Sequence, residues 1–433
     1  MHIFFCGIGG SGLSGLAHIA LDLGFIVSGS DLQHSQNIEE LKTRGATIFL
    51  GQKDSQNIKN LNQKQKIDWF VQTAAIKPTQ PELQFVQKLQ ELQKKVESPK
   101  LISNPISSLN KLNNSLEKEQ NSSNRSSNQK TLIESLTESS QIKISKRDEF
   151  INFVIDKKNL KLIAVAGTHG KTTTTGMLVW LFKKLEIPIS YLVGSNISFG
   201  SSGQFQEKSE YFILECDEFD RNFLKFEPEI TIIPSLDYDH PDTYPTLAEY
   251  NEAFGQFLGQ VKKISYCYES DYRKIYHTLI EINENCVDNS KNVASSQKQQ
   301  WREKFNKKIF EIDNLDGYQM SKIRKNIKLV GKHNRTNAYL VAMCVFNLPI
   351  IDQICEEKNF VWGNFYWMDA KSKITKKELN IKFQKMCDLL TDFPGTVRRF
   401  EKLAENIYSD YAHHPSEIAA TLELAQELVR NME

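Results

Sequence analysis

Ala166-Gly167-Thr168-His169-Gly170-Lys171-Thr172-Thr173-Thr174 stands between an apolar run, Leu162–Val165, and a helical run, Thr172–Lys184. In a strand–glycine loop–helix arrangement, backbone amides and a helix N-terminus face an anion. Lys171 supplies positive charge for terminal phosphates, and the Thr172 hydroxyl suits a Mg²⁺ ion. The pattern departs from the common phosphate loop. Val165 occupies the place of the first glycine, which leaves Gly167 and Gly170 to make the turn. A Gly-Lys-Thr triplet is common by chance, but not in this setting. The stretch therefore predicts an α/β nucleotide-binding domain in the middle of the chain.

Acidic and histidine positions downstream suit the same centre. The strand Tyr211–Leu214 ends in Glu215, followed by Cys216-Asp217-Glu218-Phe219-Asp220. An acid at the carboxyl end of a strand beside a phosphate loop is placed to hold Mg²⁺. The bland alternative for Asp217, Glu218 and Asp220 is a solvated loop, and it is kept for at least one of them. The strand Ile230–Ile233 leads to Asp237-Tyr238-Asp239-His240-Pro241-Asp242. There a neutral nitrogen of His240 offers a second metal ligand, with an ordinary polar role as the alternative.

A second glycine loop opens the chain. Gly7-Ile8-Gly9-Gly10-Ser11-Gly12 follows the strand His2–Cys6 and precedes a helical stretch, Leu13–Leu23. Glycines allow a tight turn and close backbone approach, and the helix start offers amides to a diphosphate. Asp31 ends the next strand about twenty residues on, where a dehydrogenase would bind the ribose of NAD. The residues favour a nucleotide diphosphate over a bare turn and leave the nucleotide open. Further strands at Thr47–Leu50 and Trp69–Gln72 continue a βαβα rhythm, which predicts a doubly wound parallel sheet.

Composition bounds the rest. A chain of 433 residues with 40% hydrophobic side chains is long enough for two or three domains. Formal net charge is +1, which gives no sign of a nucleic-acid or membrane surface. No apolar run approaches the ~20 residues of a membrane helix, and no signal peptide is visible. Seven scattered cysteines without a CxxC pair read as reduced thiols of a cytoplasmic protein. The expected division is 1–96, a first α/β domain; 97–147, a polar and disordered insertion with some helix near Leu132–Leu136; 148–391, the central domain; and 392–433. That last part shows one strand (Ile407–Ser409) and one helix (Ser416–Arg430), the start of an incomplete domain.

Taken together, these motifs resemble the Mur ligases, over residues 1–96 and 160–430. Gly331-Lys332-His333-Asn334-Arg335-Thr336-Asn337-Ala338 looks like that family's two-asparagine motif, used near adenine and ribose. Ser14-Gly15, Ser30-Asp31 and Ala74-Ala75-Ile76-Lys77-Pro78 match its L-alanine-adding branch. Pro394-Gly395-Thr396-Val397-Arg398-Arg399-Phe400 and Asp410-Tyr411-Ala412-His413-His414-Pro415 resemble segments at the entrance of its third domain. The resemblance implies a Rossmann-like N-terminal domain, a central P-loop ATPase-like α/β domain and a truncated Rossmann-like C-terminal domain.

It also implies a reaction. ATP would bind through Gly167, Thr168, His169, Gly170, Lys171, Thr172 and Thr173, with Asn334 and Asn337 on the nucleoside. Gly7, Gly9, Gly10, Ser11, Gly12, Ser30 and Asp31 would hold UDP rather than NAD. The carboxylate of UDP-N-acetylmuramate would take the γ-phosphoryl group, and the amine of L-alanine would then displace phosphate. Lys171, Glu215, His240 and Arg398 carry the expected catalysis, with Arg399 an alternative for the last; an interdomain ion pair is the other role open to either arginine. Mg²⁺ would sit at Thr172 and Glu215, and a second ion near His240. Asp410 and His413 would orient the incoming amine. Three alternatives remain open on the sequence: a ligase for a recycled murein tripeptide, a catalytically impaired nucleotide-binding relative, and an NAD-dependent dehydrogenase. The last leaves the loop at Lys171 unexplained.

Overall fold

The computed structural model describes residues 1–52, 54–73, 75–96, 141–285, 309–312, 323, 325–349, 376–397 and 399–431. Ala74, Arg398 and the expected helix near Leu132–Leu136 lie outside these residues. The chain divides into two compact units, Met1–Ile151 and Asn152–Glu433.

In the first unit, β1 (His2–Cys6), β2 (Ile26–Asp31), β3 (Thr47–Leu50), β4 (Trp69–Gln72) and β5 (Lys143–Lys146) make a parallel sheet in the order β3-β2-β1-β4-β5. All five residues of β1 are buried. A continuous apolar run, rather than an alternating one, is what a parallel strand covered on both faces requires. Phe4 and Phe70 stack at 5.6 Å on one face of the sheet. The intervening helices include α1 (Ser11–Asp22), α2 (Gln36–Thr43), α3 (Gln56–Lys64) and α4 (Pro81–Val96). Strand order reverses between β1 and β4. The crevice at the carboxyl ends of strands flanking such a reversal is where open α/β sheets bind ligands. The loop Gly7–Gly12 opens there.

Residues 143–146, read from composition as the tail of the polar insertion, form β5. The polar letters mislead because two anchors suffice. Ile142 is buried, and Trp69 Nε1 donates to Ser145 Oγ at 2.7 Å.

The second unit follows α5 (Arg147–Lys157), which spans the division. Its strands are β6 (Lys161–Val165), β7 (Ser190–Leu192), β8 (Gly203–Gln204), β9 (Tyr211–Glu215), β10 (Ile230–Ile233), β11 (Ile264–Tyr268) and β12 (Ile309–Ile312). They lie in the order β12-β11-β10-β6-β9-β7-β8, parallel except for the β7–β8 pair. Against the sheet pack α6 (Lys171–Lys184) and α9 (Lys332–Phe346), through Met177, Phe182, Leu340 and Val345 among others. The helix α7 (Leu247–Gln260) begins with a threonine cap: Thr246 Oγ1 accepts from the Glu249 amide at 3.2 Å. After α8 (Glu269–Asn285) and α10 (Lys376–Thr391) come a hairpin, β13 (Glu401–Ala404) with β14 (Ile407–Ser409), and α11 (Pro415–Arg430). No helix among the described residues is long and apolar enough to cross a membrane.

Candidate active site

The central strand β6 stops at Val165, and the chain turns through Gly167 at φ +137° and Gly170 at φ +80°. Both conformations exclude ordinary side chains. Space excludes them as well. A Cβ at Gly167 would lie 2.7 Å from the Ser235 carbonyl oxygen, and one at Gly170 would lie 3.0 Å from Asn337 Nδ2. The motif's last asparagine is thus brought against the loop from α9. No side chain caps α6, so the amides of its first turn face the loop's concavity. Thr168 Oγ1 lies 2.5 Å from Tyr250 OH and 2.7 Å from the Asp237 carbonyl oxygen, which fixes the loop from beneath.

Lys171 is held where a phosphate would be met. Its Nζ donates to the carbonyls of Gly167 (2.7 Å) and Thr168 (3.1 Å) and lies 2.8 Å from Glu218 Oε2. Parallel pairing sets Val165 beside Glu215 in neighbouring strands. The acid at the end of β9 therefore reaches the loop: Thr172 Oγ1 donates to Glu215 Oε1 at 2.8 Å, and the Gly194 amide donates to Oε2 at 2.8 Å.

Glu218 carries more of the site than its sequence position suggests. It is fully buried, whereas Asp220 in the same short segment is exposed. Burial pushes its carboxyl above the usual range, and the Lys171 ammonium offsets part of that. His240, at φ +55°, brings Nε2 within 3.7 Å of Glu218 Oε1. Ligand atoms of Asp217, Glu218 and His240 all lie within 4.8 Å of one another. Oxygen-rich donors converging beside Thr172 and Glu215 fit Mg²⁺, a hard cation. Sequence reasoning had placed Glu215 and His240 here but not Glu218. Its contacts run to Lys171, 47 residues away in the chain.

Beside the loop lies a cleft of about 480 Å³, lined by His169, Asn334, Asn337, Arg399, Asp410 and Glu417 among others. Asn334 Nδ2 donates to the Val330 carbonyl at 3.0 Å. Buried Arg335 makes a two-pronged contact with Glu427 of α11, at 2.6 and 3.2 Å, and the Gly331 amide donates to the same carboxylate. Those bonds fasten α11 to the start of α9. Both oxygens of Asp410 are engaged by backbone, accepting from Phe400 N and Ala412 N at 2.7 Å each. His413 is exposed, with Nδ1 3.2 Å from the Tyr411 carbonyl oxygen. Asp410 therefore orders the turn leading to α11, and its backbone bonds engage both oxygens expected to face an amine.

In the first unit, the expected diphosphate loop is braced from within. The Gly7 and Ile8 amides donate to the Ser30 carbonyl, and Gly9 N donates to Asp31 Oδ2 at 2.8 Å. Ser30 Oγ donates to buried Glu82 at 2.5 Å and accepts from Gln52 Nε2 at 2.8 Å. Gly10 and Ser11 are exposed at the mouth of α1, which no side chain caps. Arg147 reaches this loop, its Nη1 3.3 Å from where a Gly12 Cβ would stand. A cation there suits an anionic ligand, and no local motif signals it, because Arg147 follows β5 rather than β1.

A doubly wound first unit and a phosphate-loop second unit with an acidic centre define a nucleotide-binding α/β protein. Comparison with known proteins narrows this class. The model of the Mur ligase family catalytic domain matches residues 2–95, and that of the Mur ligase middle domain matches residues 165–345. The UDP-N-acetylmuramate–L-alanine ligase of Clostridium acetobutylicum is 31% identical over 436 residues, covering 99% of this chain and 75% of that protein. The enzyme of the same name from Clostridium botulinum (strain Okra) is 30% identical over 438 residues, with the same coverage. Among solved structures, the UDP-N-acetylmuramate-alanine ligase of Thermotoga maritima superposes with a TM-score of 0.61 at 19% identity, covering 100% of this chain and 79% of that one. A murein peptide ligase from Psychrobacter arcticus gives 0.59 at 20% identity, covering 99% and 76%. The chain belongs to the Mur ligase family.

Proposed function

We propose that this chain is an ATP-dependent, ADP-forming ligase that joins L-alanine to the carboxylate of UDP-N-acetylmuramate through an acyl phosphate. The observation that carries the reading is similarity to L-alanine ligases across 99% of the chain, at 31% identity. The glycine loop with Lys171, Thr172 and Glu215 supports it.

In this reading the lactyl carboxylate attacks the γ-phosphorus of ATP, and ADP leaves. The amine of L-alanine adds to the resulting acyl carbonyl, and phosphate departs as the amide forms. Both steps are limited by alignment and charge, so binding geometry supplies most of the catalysis. Lys171 stabilises the oxygens of the transferring phosphoryl group. Amides at the start of α6 hold the neighbouring phosphates. Thr172, Glu215, Glu218 and His240 are the residues that would hold Mg²⁺, which supplies charge neutralisation at the phosphates when bound. Asn334 and Asn337, which line the cleft beside the loop, would take the nucleoside. Arg399 faces the cleft and takes the clamping role also assigned to Arg398. Gly7–Gly12 seats the UDP diphosphate, with Arg147 beside it.

Phosphate release is the deciding measurement. With ATP, Mg²⁺ and UDP-N-acetylmuramate, adding L-alanine is expected to raise the rate steeply, and a murein tripeptide is not. Equal or faster release with the tripeptide would overturn the substrate assignment. No release with either would overturn the activity.

A further inference from the structure

Glu417 lies in the first turn of α11 and was no part of the expected site. Its side chain is only 10% exposed. Three groups converge on it. His169 Nδ1 lies 3.3 Å from Oε1, Arg399 Nη1 donates to Oε1 at 3.4 Å, and the His413 amide donates to Oε2 at 3.3 Å. Burial alone would raise this carboxyl. The bond to His169 and the charge of Arg399 outweigh it and hold the group down to about 2. The carboxylate is therefore ionised and fully engaged.

His169 is the link that gives the contact meaning. It is the middle residue of the phosphate loop, one position before Gly170. Its other ring nitrogen, Nε2, lies 3.5 Å from Asp237 Oδ2, and its ring packs 4.7 Å from His414. Asp237 is in turn 3.9 Å from Lys274 Nζ. A chain of polar side chains thus runs from α8 through the loop after β10 and the phosphate loop to α11 and Arg399. Each of its members except Lys274 lines the cleft.

We infer that Glu417 is a positioning residue that latches the phosphate loop, through His169, to α11 and aims Arg399 into the nucleotide cleft. The physical reason is entropy. A glycine-rich loop has many conformations, and a side chain held to α11 through Nδ1 removes many of them before nucleotide arrives. Arg399, oriented by the same carboxylate, keeps its remaining donors for the ligand. Glu417 itself contacts no reacting atom in this scheme. The inference rests on the nucleotide reading of the loop given above.

The test is a double-mutant cycle in the full chain, read by calorimetric titration with ADP and Mg²⁺. Glu417→Gln and His169→Ala are each expected to weaken ADP by about tenfold, the effect of 1.4 kcal/mol. If one acts through the other, the double variant loses no more than about tenfold in all. Glu417→Asp is expected to recover part of the loss, with circular dichroism of the variants matching that of the parent at the titration temperature. In steady state, Glu417→Gln raises KM for ATP and leaves KM for the UDP-linked substrate unchanged. Multiplicative losses in the double variant, or parental affinity in Glu417→Gln, would overturn the latch. ADP binding with the expected cycle but no alanine-dependent phosphate release would sink the ligase reading alone. A parent chain that does not bind ADP with Mg²⁺ would sink both.

Discussion

The two glycine loops share a plan and differ in the charge at their centre. Gly7–Gly12 and Gly167–Gly170 each leave the carboxyl end of a parallel strand and enter a helix that no side chain caps. In the first, an acid, Asp31, accepts from Gly9 N, and the neutral side chains of Ser35 and Asn37 donate to the Gly9 carbonyl. In the second, a cation grows from the helix itself, and Lys171 bonds the loop's own carbonyls while acids surround it. A site that only holds a diphosphate needs amides and a fixed turn. A site where phosphorus changes partner needs mobile charge to be met as it develops. On the proposed function, the same backbone device would serve binding in one unit and chemistry in the other.

The largest expected effect tests that division directly. Lys171→Ala is predicted to cut alanine-dependent phosphate release by on the order of 10²-fold or more at saturating substrate. A melting curve is the necessary control, because the change leaves buried Glu218 without its cation. Retention of parental turnover in a folded variant would break the comparison. Next come the glycines. Gly167→Ala forces a methyl against backbone, the Ser235 carbonyl, at a φ of +137°. Gly9→Ala meets Ile38 and Ser35 side chains at 2.8 to 2.9 Å, with no backbone atom among the clashes and no left-handed φ. Gly167→Ala is therefore expected to cost about 2–3 kcal/mol and Gly9→Ala about 1. Urea midpoints for the two variants give the comparison, and a reversed order would show that the wall at Gly167 is softer than its backbone contact implies.

Both loops were legible in the sequence because everything that defines them is local. A strand, a glycine at each turn and a following helix are contiguous in the chain, and Asp31 and Glu215 end strands that pair with the ones feeding the loops. What escaped notice is carried by partners far apart in the chain. Glu218 reads as one acid among several until the fold buries it against Lys171. Arg335 and Glu427 pair across 92 residues, and nothing in either segment announces the other. Glu417 follows a recognised motif, Asp410–Pro415, yet its contact with His169 exists only because α11 returns to the cleft. Asp410 shows a related gap: its motif marked it for substrate, and the fold adds two backbone amides to its oxygens that the motif does not announce. Strand β5 was hidden for another reason, since its polar letters match those of the segment before it.

A smaller effect sharpens the second loop's side of the contrast. Glu417 has a folded-state pKa of about 2, below its ordinary value of 4.5. A depressed carboxylate contributes stability that is present above the unfolded pKa and lost as pH falls through the folded one. His169, Arg399 and His413 face it, with Asp237 on the far side of the His169 ring. The contribution, on the order of 2 kcal/mol, should therefore fade between pH 4.5 and 2. The gap in melting temperature between the parent chain and Glu417→Gln is expected to be constant from pH 7 to 5 and to close below pH 4. A gap undiminished at pH 2.5 would mean that the glutamine disturbs packing rather than charge.

The smallest expected effect concerns the first loop, where two roles of Asp31 pull in opposite directions. Its carboxylate fixes the Gly9 amide, yet a negative charge beside a diphosphate is unfavourable. A single bond to a charged acceptor is worth about 1.5–3 kcal/mol, whereas repulsion between solvated charges is about 1 kcal/mol or less at 4 Å. Fixing the turn should win. Asp31→Ala, which removes the acceptor, is then expected to weaken UDP binding roughly fivefold, about 1 kcal/mol. Asp31→Asn keeps an oxygen for Gly9 N and removes the charge, so its affinity should stay within about twofold of the parent. ADP binding at the second loop serves as the internal reference. If Asp31→Asn weakened UDP as much as Asp31→Ala, the charge itself would be the ligand contact. The first loop would then resemble a ribose-reading turn more than a braced diphosphate seat.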